Sequence, residues 1–299
     1  MKKFILTAIK GIAMGAADVV PGVSGGTIAF MTGIYKELID SLKSIDHIAL
    51  KKLLNGNLKE FWKHINGSFL VAVFSGVLFS IFTLARLMQY LLTNHPVQIW
   101  SFFFGLILAS AIYILKDLTK IRFTDIIFGV IGISIASWIS LTSPTETAST
   151  LPFIFFTGMI AICAMILPGI SGSFILLLMG QYAFMMQSIK ELNLIVIAVF
   201  GSGAIFGLLA FSHFLSWLLK KYYSKTIVLL SGFMIGSLIK VWPWKIASIR
   251  FEGLDYPTLP ANYQIITGLD SLIIPAIVFM IIGFVIVFLI EFLSKILVK

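Results

Sequence analysis

The chain has 299 residues, of which 59% are hydrophobic and 12% charged, with a mean hydropathy of +1.03. Soluble domains carry roughly 25% charged residues, so an ordinary soluble core is excluded and the chain reads as an integral membrane protein. The net charge of +9 leaves nucleic-acid binding open until the charges are placed, whereas the one cysteine, Cys163, excludes an intrachain disulfide and offers no thiolate cluster for a metal.

Apolar runs of about 20 residues mark spanning helices. In chain order, residues 11–43 are apolar but interrupted by Val20-Pro21-Gly22-Val23-Ser24-Gly25-Gly26-Thr27. Residues 44–67 set Lys51, Lys52, Lys59 and Lys63 among Ile48, Leu53, Leu54, Leu58, Phe61 and Trp62, the pattern of an amphipathic helix on the inner leaflet. Spans are expected over 69–92, 97–115 and 125–141. A second broken segment, 158–190, is interrupted by Leu167-Pro168-Gly169-Ile170-Ser171-Gly172-Ser173-Phe174. Spans over 194–219, 226–241 and 270–292 follow, with 242–268, which holds Pro243, Pro257 and Pro260, as an outside loop anchored by aromatics.

The two broken segments are copies of one another. At an offset of 147, 11 of 33 positions are identical, among them Gly11/Gly158, Pro21/Pro168, Gly22/Gly169, Ser24/Ser171, Gly25/Gly172, Gly33/Gly180 and Tyr35/Tyr182. At an offset of 127, Ser75-Gly76 and Phe79 match Ser202-Gly203 and Phe206, and Gly105 and Ser110 match Gly232 and Ser237. The chain is therefore expected to be two homologous halves, 1–150 and 151–299. A secretory signal over residues 1–20 is the rival reading for the N-terminus, but a removable signal has no reason to resemble the middle of the chain.

If each broken segment is a re-entrant hairpin followed by three spanning helices, each half crosses an odd number of times and the halves have opposite topology. The expected fold is an all-α integral membrane protein of two inverted repeats. Under that topology 17 of the 22 basic residues share one side with both termini, four (Lys190, Lys240, Lys245 and Arg250) lie on the other, and Arg86 sits within a helix. The basic side is then cytoplasmic, and the charge is accounted for without nucleic acid.

Backbone that leaves the helix inside a bilayer is tolerated only against protein or a wet cavity. What offsets the cost is the exposed N-terminus of a half-helix, with free N–H groups and a positive dipole end. Two such ends, beginning near Ser24 and Ser171, form an anion site of the kind inverted-repeat transporters use. The expected substrate-binding residues are Ser24, Gly25, Gly26, Thr27, Ser171, Gly172 and Ser173, with Arg86 as a bidentate phosphate ligand. For the glycines the alternative is close hairpin packing, and for Arg86 it is snorkelling to the headgroups. His213 stands at the repeat position of Arg86, where a histidine either assists at the inner side or simply packs. Asp18, which has only Met165 as its counterpart, either carries a coupling proton or caps the half-helix. Glu37, beside Lys36, marks the cytoplasmic interface, and together with Asp18 and His213 completes the coupling or gating candidates.

The run Gly15-Ala16-Ala17-Asp18-Val19-Val20-Pro21-Gly22-Val23-Ser24-Gly25-Gly26-Thr27, continuing to Gly33-Ile34-Tyr35, resembles the signature of the bacterial polyprenyl-phosphate transporters. Phe103-Phe104-Gly105-Leu106 and Pro168-Gly169-Ile170-Ser171-Gly172 are similar to further motifs of that family. The resemblance covers essentially the whole chain and implies a plasma-membrane translocase that returns undecaprenyl phosphate, the carrier of wall polymers, from the outer to the inner leaflet. It also implies paired re-entrant helices. Relatives are expected to carry an acid directly after the tyrosine, whereas here Lys36 precedes Glu37. The expected partners are the lipid substrate and membrane lipids. No cofactor or metal is implied, and proton or other ion coupling and a homo-oligomer are left open. The alternatives are an intramembrane lipid-pyrophosphate phosphatase, for which no histidine or carboxylate pair stands beside the serines, and an ion-coupled carrier of a small inorganic anion.

Overall fold

The computed structural model describes residues 2–19, 23–116, 118, 120–144, 147–247 and 255–297. Pro21 and Gly22 of the first signature, together with Asp117 and Arg250, lie outside the described residues. Among the described residues the chain forms α1 (Lys2–Asp18), α2 (Gly25–Met31), α3 (Tyr35–Lys43), α4 (His47–Leu54), α5 (Leu58–His64), α6 (Gly67–Asn94), α7 (Pro96–Lys116) and α8 (Phe123–Leu141). There follow α9 (Leu151–Ile166), α10 (Gly172–Leu178), α11 (Tyr182–Lys190), α12 (Leu194–Lys221) and α13 (Tyr223–Ser237). The strands β1 (Lys245–Ala247) and β2 (Asp255–Pro257), then α14 (Pro260–Thr267) and α15 (Ile273–Leu297), complete it.

Of these, α6, α7, α8 and α12 are long and apolar enough to cross a membrane. The chain is a multi-pass, predominantly helical membrane protein. Helices α10 and α11 together form a further apolar stretch, bent by 110° at the break between them. Both broken segments fold into the same succession: a long helix, a seven-residue helix, a glycine turn and a nine-residue helix. The turn residues Gly33 (φ +73°) and Gly180 (φ +65°) hold the left-handed backbone that ends each short helix, a conformation costly for any residue with a Cβ.

Two connections differ from expectation. The 44–67 linker is not one helix but two, α4 and α5, because Asn55-Gly56-Asn57 breaks it, with Gly56 at φ +75°. The loop after α13 is also more ordered than a proline-rich stretch implies. Its strands pair antiparallel, with Ala247 opposite Asp255, and Pro260 starts α14 at a position where its missing N–H costs nothing.

The chain divides into two compact units, one comprising Met1–Ala85, Glu146–Leu167 and Ser171–Tyr223, the other Arg86–Thr145, Pro168–Ile170 and Ser224–Lys299. In the first unit small residues let helix backbones touch, as membrane helices require in the absence of a strong apolar driving force between them. A Cβ at Gly11 would press on the Val73 carbonyl, and one at Gly76 on the Ala8 carbonyl, fixing α1 against α6. The same contacts recur between α9 and α12, where Gly158 meets Phe200 and Gly203 meets Phe155. In the second unit Gly105 and Gly283 bring α7 against α15, while Gly132 and Gly232 bring α8 against α13.

Candidate functional site

The tip of the first broken segment is sealed by its own groups. Ser24 has extended backbone (φ −120°, ψ 130°) and caps α2, its Oγ accepting from the Gly26 N–H at 3.1 Å. The Gly25 N–H donates to Asp18 Oδ1 at 2.6 Å, and the Thr27 N–H to the Ser24 carbonyl at 2.9 Å. The first amides of α2, which a helix normally leaves open, are thus all taken. Ser24, Gly25, Gly26 and Thr27 are buried.

The same serine also stops α9. Its Oγ–H is shared between the carbonyls of Met165 (3.2 Å) and Leu167 (3.1 Å), and Tyr35 Oη donates to the Ile166 carbonyl at 3.2 Å. These carbonyls belong to the last turn of α9 and lack intrahelical partners. Gly26 leaves room for the contact, since a Cβ there would stand 2.5 Å from the Ile166 oxygen. The first segment therefore closes its own tip and ties down the end of the helix that leads to the second.

The second tip is open. Ser171 precedes α10 with the same extended backbone (φ −99°, ψ 130°) but makes no side-chain cap, its Oγ lying 2.9 Å from Ser173 Oγ instead. Gly172 and Ser173 are only half-buried, and their amides meet no acceptor among the described residues. The repeat explains the difference. Asp18, whose carboxylate lies against Gly25, is replaced by Met165, whose Cβ lies 3.3 Å from where a Gly172 Cβ would be and which is 38% exposed. One tip carries its own carboxyl acceptor; its counterpart carries a thioether that fills no such role.

The remaining expected residues stand elsewhere. Glu37 accepts from Asn66 Nδ2 at 3.1 Å and lies 3.6 Å from Lys3, at the base of the first segment. His213 is exposed on α12, with Nδ1 2.8 Å from the Leu209 carbonyl. Arg86, in the second unit, is exposed on α6. Within the first unit the structure thus brings Asp18, Ser24, Gly25, Gly26 and Thr27 together, and separately Ser171, Gly172 and Ser173; Glu37 and His213 join neither tip.

Sequence reasoning missed two groups. Asp40 accepts from Ser216 Oγ at 2.6 Å and lies 3.6 Å from Lys220, tying α3 to α12. Its one signal was an acid on a helix face that otherwise alternates toward the core. The other group is Lys245, whose ammonium lies 3.1 Å from the centroid of the Trp100 ring; it had been counted only as a charge on one side of the membrane.

Comparison with known proteins fits this architecture. Residues 14–253 match the family model described as undecaprenyl phosphate translocase-like. A protein of Vibrio cholerae serotype O1 named polyprenyl-phosphate transporter is 46% identical over 262 residues, covering 87% of this chain and 85% of the relative. A protein of the same name from Staphylococcus aureus is 34% identical over 256 residues, covering 80% and 86% respectively. No solved structure matches. With a family model spanning most of its length and relatives aligned nearly end to end, the chain belongs to the undecaprenyl phosphate translocase-like family.

Proposed function

We propose that this chain carries polyprenyl phosphate from the outer to the inner leaflet of the bacterial plasma membrane, returning the carrier lipid for another round of wall-polymer synthesis. The observation that carries the reading is the contrast between the tips. Ser171, Gly172 and Ser173 offer two amides and paired hydroxyls with no internal carboxyl, where Asp18 fills the equivalent place at Gly25. A phosphate monoester supplies the missing acceptors, and its prenyl tail stays in lipid. Ser24, Gly25, Gly26 and Thr27 form the closed counterpart that holds α9 and the second tip in position. The names of the relatives support the substrate class.

In this reading the halves are inverted repeats, 1–150 and 151–299, with both termini cytoplasmic and a re-entrant hairpin opening each half. Arg86 captures the phosphate from the outer leaflet, and His213 and Glu37 serve the inner side. The test is leaflet-resolved translocation of a polyprenyl phosphate by pure protein in proteoliposomes, with and without a pH gradient. Saturable movement of the phosphate but not of the parent alcohol is expected. Release of inorganic phosphate from a lipid pyrophosphate would replace transport by an enzymatic reading.

A further inference from the structure

Lysines in membrane proteins ordinarily bury the stem and leave the ammonium in water. Lys245 does the reverse. Its residue as a whole is only half-buried, yet Nζ is shielded from solvent and has no hydrogen-bond partner among the described residues. The head lies 3.1 Å from the centroid of the Trp100 ring, on α7 of the same unit. A ring face attracts a cation but leaves three N–H donors looking for acceptors.

The surroundings are built rather than loose. Trp244 Nε1 donates to the Ser271 carbonyl at 2.6 Å, its own carbonyl accepts from the Thr258 N–H at 2.9 Å, and Trp242 Nε1 donates to the Thr258 carbonyl at 2.8 Å. Trp244 packs in an enclosed cluster with Val97, Tyr263 and Ala276. Lys245 leads into β1, so its backbone is fixed on one side by this cluster and on the other by pairing with β2. Lys240, only 7% exposed, and Asp255 are its charged neighbours. Removal from water, then the like charge of Lys240, hold the Lys245 amine well below the usual lysine range, and Asp255 offsets part of this. Among the described residues two basic groups thus face the one carboxylate of Asp255, and one of them, Lys245, has unused donors.

We propose that Lys245, with Lys240 beside it and Trp100 as its floor, is an anion-binding site for a phosphate monoester, separate in sequence from the broken-helix tips. Its use for a lipid phosphate rests on the transport reading above, in which this loop faces the outer leaflet and the site receives the headgroup before translocation. The phosphate oxygens accept from the buried ammonium, and the ring keeps water away from the pair.

The experiment titrates farnesyl phosphate, inorganic phosphate and farnesol against the full-length chain in nanodiscs, reading tryptophan fluorescence, with Trp100→Phe identifying the reporter. Farnesyl phosphate is expected to quench saturably and farnesol not at all. Lys245→Met should weaken binding at least tenfold, Lys245→Arg should restore most of it, and Lys240→Met provides a second variant should Lys245→Met misfold. Inorganic phosphate competing as well as farnesyl phosphate keeps the anion site but makes the free ion its occupant. Unchanged affinity in a correctly folded Lys245→Met protein removes the site. The transport assay separates the two claims. Lys245-dependent binding without lipid movement by the wild type ends the transport reading alone, and wild-type transport with a Lys245-independent affinity ends only this proposal.

Discussion

Met165→Asp copies into the second repeat the carboxylate that closes the first. In the first tip Asp18 Oδ1 stands 2.6 Å from the Gly25 N–H, a short charge-assisted bond of about 2 kcal/mol. An aspartate at 165, beside Gly172 as Asp18 is beside Gly25, places the same acceptor on the open amides. A lipid phosphate must then displace it, which weakens capture about 30-fold at 1.4 kcal/mol per decade, and charge repulsion adds to that. The assay is initial translocation rate against lipid phosphate concentration in proteoliposomes, with insertion checked by yield and monodispersity. Met165→Asn, which brings no charge, should stay within a few-fold of the wild type. A correctly inserted Met165→Asp protein with wild-type concentration dependence would refute the assignment of the headgroup to the second tip.

Arg86→Ala should leave insertion normal and abolish carrier recycling, seen as accumulation of polyprenyl phosphate in the outer leaflet; full recycling removes Arg86 from the pathway. Gly203→Ala and Gly201→Ala form a matched pair on α12. A Cβ at 203 collides with the Phe155 carbonyl and should cost about 1–3 kcal/mol, whereas one at 201 meets nothing within 4 Å and should be neutral or gain up to about 1 kcal/mol. Thermal unfolding in detergent compares them, and equal destabilisation would argue against the α9–α12 contact. Asp46 caps α4 through Ile48 and Ala49 and meets His64 Nε2 at 3.2 Å. Burial pushes its carboxyl up, but the Ala49 N–H and His64 outweigh this and hold it below the usual carboxylate range. The cap's contribution is therefore full above the ordinary aspartate value of about 3.9 and lost as pH falls through the lower folded value. Amide exchange at Ile48 and Ala49 should accelerate only on such acidification, and in Asp46→Asn at neutral pH.

Four of the six expected spans, 69–92, 97–115, 125–141 and 194–219, fall on helices long and apolar enough to cross a membrane. These and the broken segments were legible because lipid leaves few options. The expected spans 226–241 and 270–292 fall on α13 and α15, which offer shorter apolar stretches among the described residues. Within Leu194–Lys221 the apolar run is interrupted by His213 alone as an ionisable group before the closing Lys220-Lys221, and such a run can be little other than a helix. The internal match located both tips, since glycine, proline and serine at a common offset mark the same backbone task. Sequence did not reveal which tip is open. That depends on Asp18 reaching Gly25 and on Ser24 reaching the end of α9, 141 to 143 residues away. Nor did composition disclose that Lys245 turns its head inward, because a lysine among prolines and aromatics reads equally well as a solvated anchor.

The sequence halves are not the bodies that pack. At the repeat offset of 127, the α7 residues Gly105 and Phe102 correspond to Gly232 and Leu229 on α13. Gly105 meets Met280 and Phe102 meets Gly283, while Gly232 meets Gly129 and Leu229 meets Gly132. Each half's third helix therefore lies on the second helix of the other half: α15 on α7, and α8 on α13. Rocking residues 1–150 against 151–299 as blocks would tear both glycine contacts open, along with the Ser24 and Tyr35 bonds to α9. Motion that preserves these contacts keeps α7 and α15 together through the whole cycle. Cysteines replacing Tyr113 and Phe288, whose rings lie 6.3 Å apart on those helices, joined by a short thiol-reactive cross-linker in a Cys163→Ser background, should leave translocation close to that of the uncrosslinked pair. If the cross-link stops transport while the two single-cysteine proteins, treated alike, remain active, α7 and α15 must separate in turnover and the sequence halves regain their standing as the moving parts.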